Sequence, residues 1–151
     1  MLKKDMCTYR KIVVIEDDPE SCSLFEAAIP EVSKEVSLKC YSNVIDFMND
    51  VTATQQVPDL IFIEINLRKI NGFIAAELFK AHALLQNIPF IILTNSRADE
   101  DINRLFNLGA TRYIVKPTKY SDLVNVLRNV GLDSNKKMSI PTSNTFLLSY
   151  V

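Results

Sequence analysis

The sequence from residue 58 to residue 67 reads Pro-Asp-Leu-Ile-Phe-Ile-Glu-Ile-Asn-Leu. Its centre, 60–63, is a run of four consecutive apolar residues with β-branched and aromatic side chains. So short and continuous a run is typical of a strand buried on both faces of a parallel sheet. Glu64 follows the run at once. The stretch therefore predicts a central strand whose carboxyl end carries a carboxylate.

Short apolar runs of this kind occur at four other places, and amphipathic helical patterns separate them. The five predicted strands are 11–15, 36–41, 60–63, 90–93 and 112–115. Alternation of strands and helices is typical of a parallel sheet covered by helices on both faces. The predicted class is α/β. A chain of 151 residues, 48% of them hydrophobic, is expected to form one domain.

Prolines, glycines and apolar stripes indicate where the helices begin and end. Pro19 suits the first turn of a helix, which we expect to end near Pro30. Gly131 suits the position that stops the last helix. The helix that begins at Gly72 is expected to bury one stripe, consisting of Ile74, Leu78, Ala81 and Leu85.

The last twenty residues lose this periodicity. We assign residues 1–131 to one domain and residues 132–151 to a C-terminal tail that forms no separate domain. The tail is too short for a helix-turn-helix output module, so output is expected to occur by contact. Its apolar segment Phe146-Leu147-Leu148 could dock on the domain or on a second copy.

The charge balance excludes some classes of partner. The formal net charge is -1, and the basic residues form no single stripe. We therefore expect neither a nucleic acid nor an anionic membrane as the partner. No apolar run approaches the roughly 20 residues that cross a bilayer.

Three cysteines, Cys7, Cys22 and Cys40, form an odd set without metal-ligand spacing. We interpret Cys22 and Cys40 as unlinked thiols that pack as small hydrophobic groups, without a redox role. No secretory leader pattern opens the chain. A cytoplasmic location is therefore expected.

Polar residues follow four of the predicted strands. They are Glu16-Asp17-Asp18 after the first strand, Glu64 after the third, Thr94 after the fourth and Lys116 after the fifth. Ligands of open parallel sheets bind at the carboxyl ends of the strands, so these groups are expected to converge. Clustered carboxylates require a counter-ion, and Mg²⁺ suits such oxygen donors. Mg²⁺ is therefore a candidate cofactor.

These residues carry a family resemblance. The motifs are Ile-Glu-Asp-Asp-Pro at 15–19, the stretch at 58–67 with Gly72, Ile-Leu-Thr at 92–94 and Tyr-Ile-Val-Lys-Pro at 113–117. In this order they resemble the receiver domains of two-component response regulators, over about residues 10–131. The resemblance implies a flavodoxin-like, doubly wound (βα)5 sandwich of three layers with sheet order 2-1-3-4-5. It also implies a signalling module and not an enzyme.

The resemblance implies roles for single residues. Glu16 and Asp17 would be the acidic metal ligands, the backbone carbonyl of Asn66 would complete the metal site, and Glu64 is a further candidate ligand. Lys116 would contact the phosphoryl group.

The resemblance also implies a switch and one partner surface. Thr94 would sense phosphorylation, the rotamer of Tyr113 would follow it, and Lys116-Pro117 would be joined by a cis bond. The partner would be a sensor histidine kinase or a downstream target. The face formed by the fourth helix, fifth strand and fifth helix is a candidate surface for that partner or for a homodimer.

Glu64 departs from the family pattern, which has the phosphoacceptor aspartate at this position. The added methylene shifts the carboxylate by on the order of 1 Å, and such a shift can cost about 10²-fold in an in-line transfer. We therefore expect phosphorylation to be disfavoured. Arg68 and Lys69 are a second departure, since two cations border the site and could pair with Glu64 or its neighbours.

Three alternatives remain open from the sequence. Glu64 could be a relic whose salt bridge to Lys116 only holds the fold. The domain could also be a competent receiver that binds Mg²⁺ and accepts phosphate at Glu64 or Asp18. A flavin-binding protein of the same fold is the third, although the acidic Asp18-Pro19-Glu20 would repel its phosphate.

Overall fold

The structure is a computed structural model that describes residues 7–150. Five parallel strands form one sheet in the order β2-β1-β3-β4-β5. The strands are β1 (Lys11–Ile15), β2 (Ser37–Tyr41), β3 (Leu60–Ile63), β4 (Phe90–Thr94) and β5 (Arg112–Val115). The helices are α1 (Pro19–Val32), α2 (Val44–Thr54), α3 (Gly72–Ala81), α4 (Asp99–Asn107) and α5 (Tyr120–Val130). The predicted flavodoxin-like α/β architecture and sheet order are confirmed.

The sheet separates two hydrophobic cores. Ile12 and Val14 of β1 point to the side covered by α1 and α5, whereas Val13 and Ile15 point to the side covered by α2, α3 and α4. This alternation follows from the two-residue period of a strand. Because both faces are covered, the central strands are apolar throughout, and β3 is buried at every position.

Two helices differ from their predicted limits or faces. Helix α1 continues through Pro30 to Val32, because a proline in the last turn removes a single backbone hydrogen bond. Helix α3 ends at Ala81, and the predicted stripe is only partly right, because Ile74 is 44% exposed and Ala81 is exposed. Leu78 packs against the core and Leu85 is buried in it, although Leu85 lies beyond the end of the helix. The buried face of α3 consists instead of Gly72, Ala75, Ala76 and Phe79. Its small residues let the helix approach the neighbouring backbone closely.

The C-terminal tail docks on the domain as a short sixth strand. The N–H of Tyr113 in β5 donates to Phe146 (2.8 Å), and the N–H of Leu148 donates to Tyr113 (2.9 Å). These bonds make a parallel bridge between Tyr113 and Leu147. Phe146 is buried in the core on the α4 side. Of the two docking modes that the sequence left open, the structure has the one on its own domain.

One residue of the assigned tail is part of the hydrophobic core of the domain. Leu132, the first residue of the predicted tail, is fully buried beside α5. Residues 1–6 and residue 151, at the outer ends of the two assigned ranges, lie outside the described residues. Between residues 7 and 150, the structure contains no helix long and apolar enough to cross a membrane.

A disulfide joins Cys22 in α1 to Cys40 in β2, so the expectation of two unlinked thiols is wrong. Their Cα atoms are 6.4 Å apart, within the range that disulfides bridge. The sequence did not reveal the pair because its 18-residue separation becomes a contact only when α1 packs beside β2. Cys7 is a free thiol.

Candidate functional site

Backbone hydrogen bonds between neighbouring strands bring the predicted polar residues to one edge of the sheet. The N–H of Glu16 donates to Tyr41 (2.9 Å), and that of Glu64 donates to Ile15 (3.1 Å). The N–H of Lys116 donates to Thr94 (2.7 Å). Because all strands are parallel, their carboxyl ends coincide, as the sequence predicted.

Lys116 bridges two carboxylates at this edge. Its Nζ lies 2.8 Å from Glu16 Oε2 and 2.9 Å from Glu64 Oε1. The side chains of Lys116, Glu16 and Glu64 are only 16%, 5% and 8% exposed. We call these three residues the ion triad. Charge-assisted hydrogen bonds in such a sheltered site are stronger than those of surface ion pairs.

Burial and pairing shift the protonation of the ion triad. Burial raises the pKa of Glu16 above its usual value, and the hydrogen bond and charge of Lys116 oppose this only in part. Burial alone would lower the pKa of Lys116, but its hydrogen bonds to Glu16 and Glu64 outweigh burial and raise that pKa. Lys116 is therefore charged at neutral pH and serves as the counter-ion of the site.

The second oxygen of each carboxylate is also engaged. Glu64 Oε2 accepts hydrogen bonds from the N–H groups of Ile65 (2.7 Å) and Asn66 (3.3 Å). Glu16 Oε1 accepts from the N–H of Asp18 (3.1 Å). All four carboxylate oxygens thus have a donor, and the long side chain of Glu64 folds back over its own loop.

Gly72 fixes the loop that carries Glu64. Its N–H donates to Ile65 (2.8 Å) at the start of α3. A Cβ at residue 72 would lie 2.8 Å from the Cα of Ile65 and 2.9 Å from the carbonyl oxygen of Glu64. These distances leave no room for a side chain, so the glycine that the sequence placed at the helix start also determines the position of Glu64.

The remaining predicted metal ligands are more exposed. Asp17 Oδ2 lies 3.8 Å from Nε of Arg68, whose side chain is 91% exposed. Asn66 lies in the exposed loop after Glu64. Arg68 therefore contacts Asp17 and not Glu64, whose cationic partner is Lys116. The donor types suit Mg²⁺.

These donors are of the right chemical type for Mg²⁺, but their positions do not suit a divalent cation. Among the described residues, Glu16, Asp17 and Glu64 do not place one oxygen each within 4.8 Å of one another. The ammonium of Lys116 lies between Glu16 and Glu64 instead. A divalent cation would require Lys116 to move, so the site in this state does not fit the metal.

Thr94 and Tyr113 both hydrogen-bond to Ser96, a residue that the sequence did not point to. Ser96 donates its N–H to Thr94 Oγ1 (3.4 Å), and its carbonyl accepts from the hydroxyl of Tyr113 (2.9 Å). Ser96 Oγ also donates to Asp101 (2.6 Å). The available signal was a serine just before an acidic helix start, where serine hydroxyls often bond to nearby backbone N–H groups, as Ser96 Oγ accepts from the N–H of Ala98 (3.3 Å).

The structure bears on two further predictions, the cis bond before Pro117 and the role of Asp18. The predicted cis bond at Lys116-Pro117 is wrong, because residues 7–150 contain no cis peptide bond. The trans form is the lower-energy isomer even before proline. Asp18 is the N-cap of α1, where its oxygens accept from the N–H of Glu20 (3.1 Å) and the hydroxyl of Ser21 (3.1 Å). Asp18 is therefore a neighbour of the ion triad, and its side-chain hydrogen bonds are made to residues of α1.

Known proteins with this fold match nearly the whole described chain. The phosphorylated cyanobacterial phytochrome response regulator RcpA has a TM-score of 0.76 at 23% identity, with 89% of this chain and 99% of that chain covered. The Mn²⁺-bound response regulator Rcp1 has a TM-score of 0.72 at 21% identity, with 88% and 99% covered. These likenesses show the fold.

The pattern of a known family matches most of the chain, and curated relatives match it in part. The sensory transduction protein BceR of Halalkalibacterium halodurans is 30% identical over 137 residues, which cover 87% of this chain and 56% of that protein. The chain spans about half the length of the first curated relatives that it matches. The sequence pattern of the family described as the response regulator receiver domain matches residues 12–128. The chain therefore belongs to the response regulator receiver domain family.

Proposed function

We propose that this receiver domain acts by contact with a protein partner in two-component signalling, in a state that Glu64 sets in place of phosphorylation. The observation that carries the proposal is the position of Lys116 Nζ, 2.8 Å from Glu16 and 2.9 Å from Glu64. The lysine that would contact a phosphoryl group is already paired with two carboxylates. Phosphoryl transfer requires groups that position the phosphoryl group and stabilise its charge. Here Lys116, the residue that would do so, is held in the ion triad.

The nucleophile itself is poorly placed for attack. Glu64 is buried, and its two oxygens are held by Lys116 and by the N–H groups of Ile65 and Asn66. A donor would have to displace these partners before an in-line approach. Asp18, the alternative acceptor, has both oxygens engaged, one by the N–H of Glu20 as the cap of α1 and the other by the hydroxyl of Ser21. These contacts favour a module that works without phosphate.

The switch residues support a fixed state. Thr94 and Tyr113 are fully buried, and both bond to Ser96. The same tyrosine pairs through its backbone with the tail. In this proposal the surface formed by α4, β5 and the docked tail has one conformation that a sensor kinase or downstream target recognises. Neither a nucleic acid nor a membrane is a proposed partner, and the proposed location is the cytoplasm.

Intact mass after incubation with Mg²⁺ and an acyl phosphate tests the proposal. We expect the native chain to keep its mass and Glu64→Asp to gain about 80 Da, one phosphoryl group. The shorter carboxylate should release Lys116 and reopen the site to Mg²⁺, with Glu16, Asp17 and the Asn66 carbonyl as ligands. A chelator should then abolish labelling of the variant.

Glu64→Gln is the control that identifies the acceptor. A phosphoryl group that the native chain gains and Glu64→Gln does not would make Glu64 a working acceptor and contradict the proposal. A group that Glu64→Gln still gains would point to another residue such as Asp18, with the same consequence. If Glu64→Asp stays unlabelled, the length of residue 64 is not the obstacle and the proposed reason is wrong.

A further inference from the structure

The strongest group of reactive side chains outside the ion triad lies between α1 and β2. The disulfide Cys22–Cys40 crosses this boundary. The carboxylate of Glu26, one turn after Cys22, comes within 4.8 Å of the two sulfurs. Neither the fold nor the proposed signalling function requires a covalent bond here.

The two sulfurs differ in access. Cys22 is buried in α1, whereas Cys40 is half-buried on β2, which is an edge strand of the sheet. A small thiolate can therefore attack Cys40 Sγ from the edge, and Cys22 is then the leaving thiolate. Exchange depends on such access and on which sulfur is attacked.

The family gives the disulfide a context. In reducing compartments, disulfides of ordinary proteins are transient and serve catalysis or redox sensing. A receiver domain of two-component signalling is a module that carries a signal. In the proposed cytoplasmic location, a permanent Cys22–Cys40 disulfide would be unusual. A disulfide that opens and closes would instead respond to the redox state of the thiols in the cell.

Both cysteines are joined to the acidic end of the sheet. The N–H of Cys22 donates to the carbonyl of Asp18 (3.2 Å). Cys40 directly precedes Tyr41, whose carbonyl accepts the N–H of Glu16 (2.9 Å). A bond between Cys22 and Cys40 therefore ties together two segments, one bonded to Glu16 of the ion triad and one bonded to its neighbour Asp18.

We propose that Cys22 and Cys40 form a reversible disulfide through which the redox state of the cell acts on the acidic end of the sheet. In the closing step, glutathione disulfide oxidises the dithiol. The two cysteines lose two protons and two electrons to form the S–S bond, and the glutathione disulfide gains them to become two glutathione molecules. Opening is the reverse reaction, through a mixed disulfide on Cys40.

The test is equilibration of the full chain in buffers of graded glutathione to glutathione disulfide ratio, followed by acid quenching, alkylation and intact mass. The opened protein weighs about 2 Da more before alkylation and takes up two more alkyl groups than the linked one. Cys7, a free half-buried thiol, can exchange with glutathione in the same buffers, and repeating the titration with Cys7→Ser removes that background. Cys22→Ser and Cys40→Ser should each abolish the transition.

We expect the linked fraction to change from most to little of the protein across cytosolic glutathione ratios. The amide NMR signals of Glu16 and Asp18 should shift with it, and those of distant Arg112 should not. Opening should also lower Tm by roughly 5–10 °C. A bond that never opens, or never forms, overturns the proposal. Amide signals of Glu16 and Asp18 that do not shift also overturn it. The same holds if no disulfide forms and added Zn²⁺ protects the thiols of the reduced chain from alkylation.

Discussion

Lys116 is the residue on which the charge balance of the site depends. The sequence predicted that it would lie near Glu16 and Glu64, because strand ends in a parallel sheet converge. It did not predict that one ammonium would pair with both carboxylates, because that depends on side-chain reach. For the same reason Ser96 escaped notice, since its role arises only when the loop after β4 folds over Tyr113.

Replacing Lys116 with methionine should leave two buried carboxylates without their cation. Removing one member of a buried ion pair costs about 3 kcal/mol of unfolding free energy. We expect a loss of this size at neutral pH for Lys116→Met, measured by urea denaturation. Lys119→Met, an exposed lysine three residues along the chain, is the control and should change stability by less than about 0.5 kcal/mol.

The loss should depend on pH in a defined direction. Burial already raises the pKa of Glu16, and removal of Lys116 raises it further. A carboxyl with a raised folded pKa is most compatible with the fold below its unfolded pKa and destabilises it as pH rises through the folded value. The deficit of Lys116→Met should therefore shrink as pH falls toward 4.5. A deficit that grows on acidification would contradict the ion triad.

The elements show where sequence patterns succeed and where they fail. Runs such as 60–63 predicted the strands because burial on both faces leaves a continuous apolar signal. The pattern misplaced the buried face of α3, because a helix with apolar residues on several sides has no unique stripe. The tail strand left no periodic signal at all. Its backbone pairs with one residue of β5, Tyr113, and the ring of Phe146 packs into the core.

Phe146 should supply most of the docking energy of the tail. It is 3% exposed, and its ring lies 5.3 Å from that of Phe106 and 6.0 Å from that of Tyr113. Phe146→Ala should therefore cost about 3 kcal/mol or release the tail outright. Urea denaturation measures the loss. Hydrogen exchange of the Leu148 amide, which donates to Tyr113, reports release.

Leu147→Ala is the matched control for that substitution. Leu147 is the next residue of the same strand but is 50% exposed, so its truncation should cost less than about 1 kcal/mol and leave the Leu148 amide protected. Equal effects of the two substitutions would mean that the backbone pairing, and not the buried ring, holds the tail.

At the scale of the whole molecule, each edge of the sheet is restrained by a different device. A disulfide ties the β2 edge to α1, and the tail pairs with the β5 edge at Tyr113. Exposed edges offer unpaired backbone groups to other chains, and proteins cover them for that reason. The fold predicted from the sequence contains both edges, but the disulfide was not predicted, and docking of the tail on the domain was only one of two open alternatives.

Removal of the tail should therefore convert the β5 edge into a surface for self-association. A chain that ends at Asp133 keeps the buried Leu132 but loses the strand partner of Tyr113 and the ring of Phe146. We expect its weight-average mass in sedimentation to rise with concentration above that of the full chain. Strand pairing at the uncovered edge and burial of the exposed apolar face would drive this association.

A second truncation separates the strand from the segment that leads to it. Arg112 donates to the carbonyl of Ser139 (3.0 Å), and a chain that ends at Thr142 keeps this contact while it lacks the strand. If the open edge drives association, both truncated chains should associate equally. Association of only the shorter chain would assign the effect to residues 134–142. Two truncated chains that sediment like the full chain would show that the tail does not protect the β5 edge.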